Sequence, residues 1–298
     1  MLPALGQERP VQVVEEAAMS DTSPNPSALG GVLVHVEPGE ASRARLQVAI
    51  SLAKSLGARL IGLGAEMAQP LVASPYGGVN TAEWVVAMNQ QIEEDLAAAQ
   101  KVFSSKVVGL DSEWRALRET PARALAAMSR SADIIVVSAH PETNYYRAAD
   151  PAEVVMRSGR PVLVVPDKGE PLNGDAVVVA WKDTREARRA LQDGLPFLQR
   201  AKQVVVAAVC SQDEASAVQR QVDDVIDYLS RRGVTATAKV SVASDAGVVG
   251  ELNAAAQAIG ADLIVAGAYG QSRLREWVFG GVTRTLMDGP TRHLLLSH

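Results

Sequence analysis

The chain goes through one order of elements twice. From Gly31 onward, apolar strand-like runs alternate with helical stretches, and the second pass matches the first at landmark positions. Val177-Val-Val-Ala-Trp181 stands for Val32-Leu-Val-His-Val36, and Arg188-Arg-Ala-Leu191 for Arg43-Ala-Arg-Leu46. Asp262-Leu-Ile-Val265 stands for Asp133-Ile-Ile-Val136, and Arg292-His-Leu-Leu-Leu296 for Arg160-Pro-Val-Leu-Val164. Strands that alternate with helices need right-handed crossovers, which give a parallel sheet covered on both faces. The expected fold is α/β, two tandem doubly wound domains of five parallel strands each.

In the first pass the strand-like runs are Val32–Val36, Arg59–Gly64, Glu113–Leu117, Asp133–Ser138 and Pro161–Val165. Helices are expected from about Ser42 to Leu56, Thr81 to Lys106, from Pro121 onward, and from Pro151 to Arg157. Pro166-Asp-Lys-Gly-Glu-Pro-Leu-Asn-Gly174 is rich in turn formers and separates the passes. We therefore expect domains at 28–167 and 175–298 with a linker at 168–174. Residues 1–27 hold four prolines and four acids without periodicity and read as a disordered tail. The tail lacks the basic start and apolar core of a secretory signal, and Met19 reads as an alternative natural start to Met1.

With 47% hydrophobic and 21% charged residues, and no apolar run of membrane-span length, the composition is that of a globular cytoplasmic protein with no membrane partner. The net charge of −5 arises in the first half, because residues 174–298 carry 14 basic and 14 acidic side chains. No basic surface for nucleic acid is expected. Cys210 alone forms no internal disulfide, and its apolar run favours a buried small residue over a redox thiol. His35, His140, His293 and His298 lack the close spacing of a helical metal pair, so no metal is expected.

In doubly wound sheets, ligands bind outside the carboxyl ends of the strands where strand order reverses. After the run Asp262–Ala266 comes Gly267-Ala-Tyr-Gly270, and then Gly280-Gly281 leading into a short helical stretch, a spacing of Gly-x2-Gly-x9-Gly. Glycine lets a backbone approach an anion closely, and the N–H groups of a helix start favour negative charge. Spacing alone leaves a tight turn and a phosphate cradle about even; the position after a strand favours phosphate.

That glycine pattern resembles the nucleotide loop of the universal stress protein family, and the resemblance runs over both repeats, residues 30–298. It implies an adenine nucleotide alpha hydrolase-like fold with strand order 3-2-1-4-5, and an adenine nucleotide, ATP foremost, as a regulatory ligand of the second repeat. The family pattern ends Gly-(Ser/Thr), where this chain has Gly280-Gly281; the family's adenine-contacting aspartate falls at Lys182, with Asp183 one position later. The nucleotide-binding residues implied are Gly267, Gly270, Gly280, Gly281, Thr283, Lys182 and Asp183. Because single-repeat relatives pair through their last strands, an intramolecular pseudo-dimer is expected through Val162–Val165 and His293–Leu296, with further homo-oligomers left open.

The first repeat keeps none of these glycines. Ala148-Ala149 stand at the Gly-(Ser/Thr) place, and Glu142 and Asp150 add repulsion, so this repeat is not expected to hold a triphosphate. His140, Tyr145 and Tyr146 read as a plain loop ahead of a pocket lining. Asp133 and Asp262 are assigned to helix-to-strand turns, Asp183 or Thr184 to a helix cap, Asp245 to another, and Trp181, Trp277 and Phe279 to packing. Motor-type phosphate loops, dinucleotide fingerprints and nucleophile elbows are absent, and no base stands beside a nucleophile. No catalytic residue is assigned; binding without efficient turnover is expected, and the alternative is a stress scaffold that binds no nucleotide.

Overall fold

The structure, a computed structural model, describes residues 29–69, 81–139, 144–166, 171–269 and 281–298. The first repeat runs β1 (Gly31–His35), α1 (Glu40–Leu56), β2 (Arg59–Ala65), α2 (Thr81–Lys106), β3 (Ser112–Leu117), α3 (Pro121–Met128), β4 (Ile134–Ser138), α4 (Pro151–Ser158) and β5 (Val162–Val165). The second runs β6 (Ala176–Trp181), α5 (Arg185–Asp193), α6 (Leu195–Leu198), β7 (Gln203–Cys210), α7 (Ala215–Ser230), β8 (Ala236–Val242), α8 (Gly247–Ala258), β9 (Leu263–Gly267), α9 (Gly281–Met287) and β10 (His293–Ser297).

The ten strands of the described residues form one sheet in the order β3-β2-β1-β4-β5-β10-β9-β6-β7-β8. Pairing is parallel within each half and antiparallel at β5 and β10, where Leu294, Leu295 and Leu296 face Val164, Leu163 and Val162. These strands carry no Asp, Glu, Lys or Arg, and each covers an edge that the other would leave open. Arg189 donates to the Gly159 carbonyl at 3.0 Å and Arg200 to the Ser55 carbonyl at 2.6 Å, tying the second repeat to the first beside the seam.

The central strands are continuous apolar runs because both faces are covered. On one face Leu46 and Ala49 of α1, Phe103 of α2, Leu191 of α5 and Val222 of α7 pack on Val34, Val136, Val179 and Val265. On the other, Leu125 of α3, Val154 of α4, Leu252 of α8 and Leu286 of α9 pack on Leu33, Ile135, Val178 and Ile264.

Asp133 and Asp262 act alike. The Asp133 carboxylate accepts the N–H groups of Gly30 and Gly31 at 2.6 and 3.0 Å, and Asp262 those of Asn173 and Gly174, at 2.7 and 3.1 Å. Each aspartate thus pins the start of strand one of its repeat to the start of strand four, rather than serving its own turn alone. Gly174 presents its N–H from a φ of 68°, open to glycine at little cost.

Two local expectations are corrected, and the repeats differ in one helix. Asp245 does not cap α8; Ser244 Oγ accepts from Ala246 N instead and donates to Glu251 Oε1 at 2.6 Å. Cys210 is half-buried rather than enclosed: at the last position of β7 its strand partner is Val242, an exposed residue of the edge strand β8. The second repeat has an extra short helix, α6, where Gly194 and Pro196 interrupt the helix that α5 begins.

Candidate functional site

At the carboxyl ends of β6 and β9 the second repeat brings together Trp181, Lys182 and Asp183 with Gly267, Ala268 and Tyr269. The register Ala180↔Ala266 puts Trp181 beside Gly267 and Lys182 beside Ala268. Thr184 caps α5 through Ala187 N at 3.2 Å, while Asp183 pairs with Arg188. Lys182 is exposed and lies within electrostatic reach of Glu214, whose carboxyl is held below its usual range chiefly by Ser211. Trp181 is a packing residue, 8% exposed, whose indole Nε1 finds no hydrogen-bond partner among the described residues.

Gly267 is a glycine for a reason the sequence did not separate from ligand binding. A Cβ there would lie 2.5 Å from both Ala187 N and the Glu186 carbonyl carbon, inside the first turn of α5. Close helix-on-strand packing therefore requires this glycine whatever the crevice holds. Gly281, the first residue of α9, is the opposite case: a Cβ would meet nothing within 4 Å. Thr283 is buried, 7% exposed, and Thr285 Oγ1 donates to the Gly281 carbonyl at 2.7 Å. Tyr269 takes a φ of 57°, and its phenol is raised by burial and by Asp150, against Arg284. Gly270 and Gly280 lie outside the described residues, as do His140, Glu142, Trp277 and Phe279, linker residues 168–170 and the tail 1–27.

The matching crevice of the first repeat is filled by its own side chains. Arg45, on α1 and 3% exposed, donates to the His35 carbonyl at 2.8 Å, to Ser138 Oγ at 2.6 Å and to Glu37 Oε1 at 3.1 Å. His35 Nδ1 lies 3.2 Å from Glu37 Oε2. Burial, joined by Arg45, holds the His35 imidazole down at about 4 against the pull of Glu37 and the Ala65 carbonyl. Burial works against the Glu37 charge, but Arg45, His35 and Arg147 outweigh it and keep that carboxyl below its usual value.

Around this centre Arg147 reaches Glu66 at 3.1 Å and also pairs with Asp95 of α2. Ala148 and Ala149 are buried, Asp150 caps α4 through Ala152 N at 2.9 Å, and the rings of Tyr145 and Tyr146 pack with centroids 4.0 Å apart. The sequence reading passed over Arg45, Glu66, Asp95 and Arg147. The available signal was Arg45 itself, a charge at an inward position of α1 between Leu46 and the strand ends. By the sequence match, Arg45 and Ser138 correspond to Ala190 and Gly267, so the second repeat lacks both halves of the plug.

No group of three or more His, Cys, Asp or Glu side chains is arranged to hold a metal among the described residues, and no helix among them is long and apolar enough to cross a membrane. No family model and no curated protein matches the sequence. Solved structures do match the fold. A universal stress protein from Archaeoglobus fulgidus aligns over 90% of this chain and 97% of its own, with 15% identity and a TM-score of 0.65. A functionally unknown protein from Pseudomonas aeruginosa aligns over 91% and 93%, with 15% identity and a TM-score of 0.56. The likeness spans both repeats.

Proposed function

We propose that this chain, which has the fold of that Archaeoglobus universal stress protein over both repeats, works as a tandem universal stress protein with one nucleotide site. The second repeat binds an adenine nucleotide, ATP foremost, as a regulatory ligand, and the first binds none. The observation that carries this reading is the contrast between the two crevices: Arg45 and Ser138 close the first, while Ala190 and Gly267 stand at the same places in the second. Arg45 is buried with each of its three guanidinium nitrogens already bonded to a protein acceptor, so it does not present a fork to a phosphate, and the neighbouring Glu37 carboxylate repels one.

In the second repeat, the glycine spacing and Lys182 offer what a phosphate needs, residues that permit close backbone approach and a cation at the crevice rim. Gly281 leaves room for a ligand or for a serine at the position where the family pattern carries a hydroxyl. In this reading the protein works in the cytoplasm without nucleic-acid or membrane partners, and turns ATP over slowly or not at all. Mass spectrometry of small molecules released from the purified, denatured protein tests it. An adenine nucleotide at up to one per chain is expected; a folded protein that neither carries nor takes up any nucleotide supports the scaffold reading instead.

A further inference from the structure

α2 and α7 hold equivalent places in the two repeats but differ in length, 26 residues against 16. Each reaches its following strand through a connector of equal length, 107–111 and 231–235, so the extra residues of α2 lie at its start, 81–90. They carry the helix about 15 Å beyond the level at which α7 begins. The core-facing stripe of α2 continues into this overhang. Val85 stands about five whole turns before Phe103 on the same line of the helix, yet Phe103 is 2% exposed and Val85 46%. Met88 follows on that stripe and Trp84 flanks it, both half-buried. Arg147 pairs with Asp95 of α2, and the Met67 N–H donates to the Tyr146 carbonyl at 3.0 Å. Met67 and Tyr145, both exposed, therefore stand at the foot of the overhang.

We propose that the overhang is a docking surface for a basic amphipathic helix of a partner protein, which lays its apolar face on Trp84, Val85, Met88, Met67 and Tyr145. Met adapts to varied partners, Trp and Tyr concentrate binding energy at interfaces, and an apolar stripe rimmed by charge is how one helix holds another. The charge selects the occupant. Residues 81–100 hold Glu83, Glu93, Glu94 and Asp95 and no Lys or Arg. Arg118 pairs with Glu93 and Arg147 with Asp95, while Glu83 and Glu94 face solvent. A second copy docked by the same face would set these acids against their own kind, and nucleic acid or an anionic lipid surface would be repelled. A segment carrying lysines or arginines beside its apolar face fits both features. This role belongs to the first repeat and does not depend on nucleotide in the second.

Fluorescence anisotropy of a labelled leucine–lysine amphipathic peptide of about 18 residues, titrated with the full chain, tests the proposal. Saturable binding of one peptide per chain is expected, with none of the matched leucine–glutamate peptide. Val85→Lys weakens binding roughly tenfold or more, whereas Val86→Lys, the same charge about 100° round the helix on the outward side, weakens it less than about threefold. Both positions are exposed, and circular dichroism checks that both variants stay folded. Equal losses in the two variants, or no binding by folded wild type, overturn the proposal. So does a wild-type dimer that Val85→Lys dissociates, which gives the face to a second copy. Binding that appears only after residues 70–80 are replaced by a glycine–serine linker gives the face to that segment instead and overturns it equally.

Discussion

Arg45 donates to Ser138 across the first repeat's switch point at 2.6 Å, joining α1 to β4 over 93 positions of sequence. The same bond is impossible in the second repeat, where alanine and glycine occupy the two places. The first repeat thus bridges its switch point with Arg45, and the second carries neither of the two side chains that make the bridge.

Closing the crevice leaves a dependence that can be measured. Arg45→Met removes the partner of Glu37 and leaves a carboxylate that is mostly buried, at 18% side-chain exposure. Denaturant unfolding should show a loss of about 3 kcal/mol, the low end for a broken buried pair because Glu37 retains some contact with solvent. Adding Glu37→Gln to Arg45→Met should recover part of the loss. A single-variant loss under about 1 kcal/mol means that the pair does not hold the crevice shut.

Gly267 and Gly281 should separate cleanly. Gly267→Ala forces α5 away from β9 and should cost about 1–3 kcal/mol by overpacking, since its Cβ meets backbone atoms at 2.5 Å. Gly281→Ala meets open space at the start of α9 and should be neutral or stabilising by up to about 1 kcal/mol. Thermal melts of the two variants decide the matter; equal effects contradict the assignment of Gly267 to packing.

The buried acid and the buried histidine of the first repeat oppose each other in pH dependence. Glu66 carries a raised pKa, about 7 against 4.5 unfolded, so the native state holds the extra proton and stability falls as pH rises through that window. His35 carries a lowered one, about 4 against 6.5, so the unfolded state takes the proton first and stability falls as pH drops from 6.5 towards 4. Between about pH 4.5 and 6.5 the two slopes cancel in the wild type. Glu66→Gln should uncover the His35 slope, a rise of up to ~1.4 kcal/mol per pH unit relative to wild type. Parallel stability curves for the two proteins would show that Glu66 titrates at its ordinary value.

Much of the scaffold could be read directly. The central strands β1, β4, β6 and β9 are short apolar runs, and Thr184 sits where a cap precedes an amphipathic helix. Asp245 misled because Ser244, one residue earlier, offers the same chemistry with better reach to Ala246. Arg45 was legible only as a charge on the inward face of α1 and not as a plug, because its acceptors lie 10 and 93 residues away and only the closed sheet brings them together. Gly267 was ambiguous for a related reason: a glycine that admits a phosphate and one that admits a helix backbone leave the same letter in the sequence.

The single-site account is tested most directly by calorimetric titration of the full chain with ATP, run on wild type and on Gly281→Ser. The serine fits the open space at that position and adds a donor, so binding should tighten by about 0.5–1.5 kcal/mol while the stoichiometry stays at one ATP per chain. Two ATP molecules per chain would contradict the closure of the first repeat, and no measurable heat from either folded protein would contradict nucleotide binding altogether.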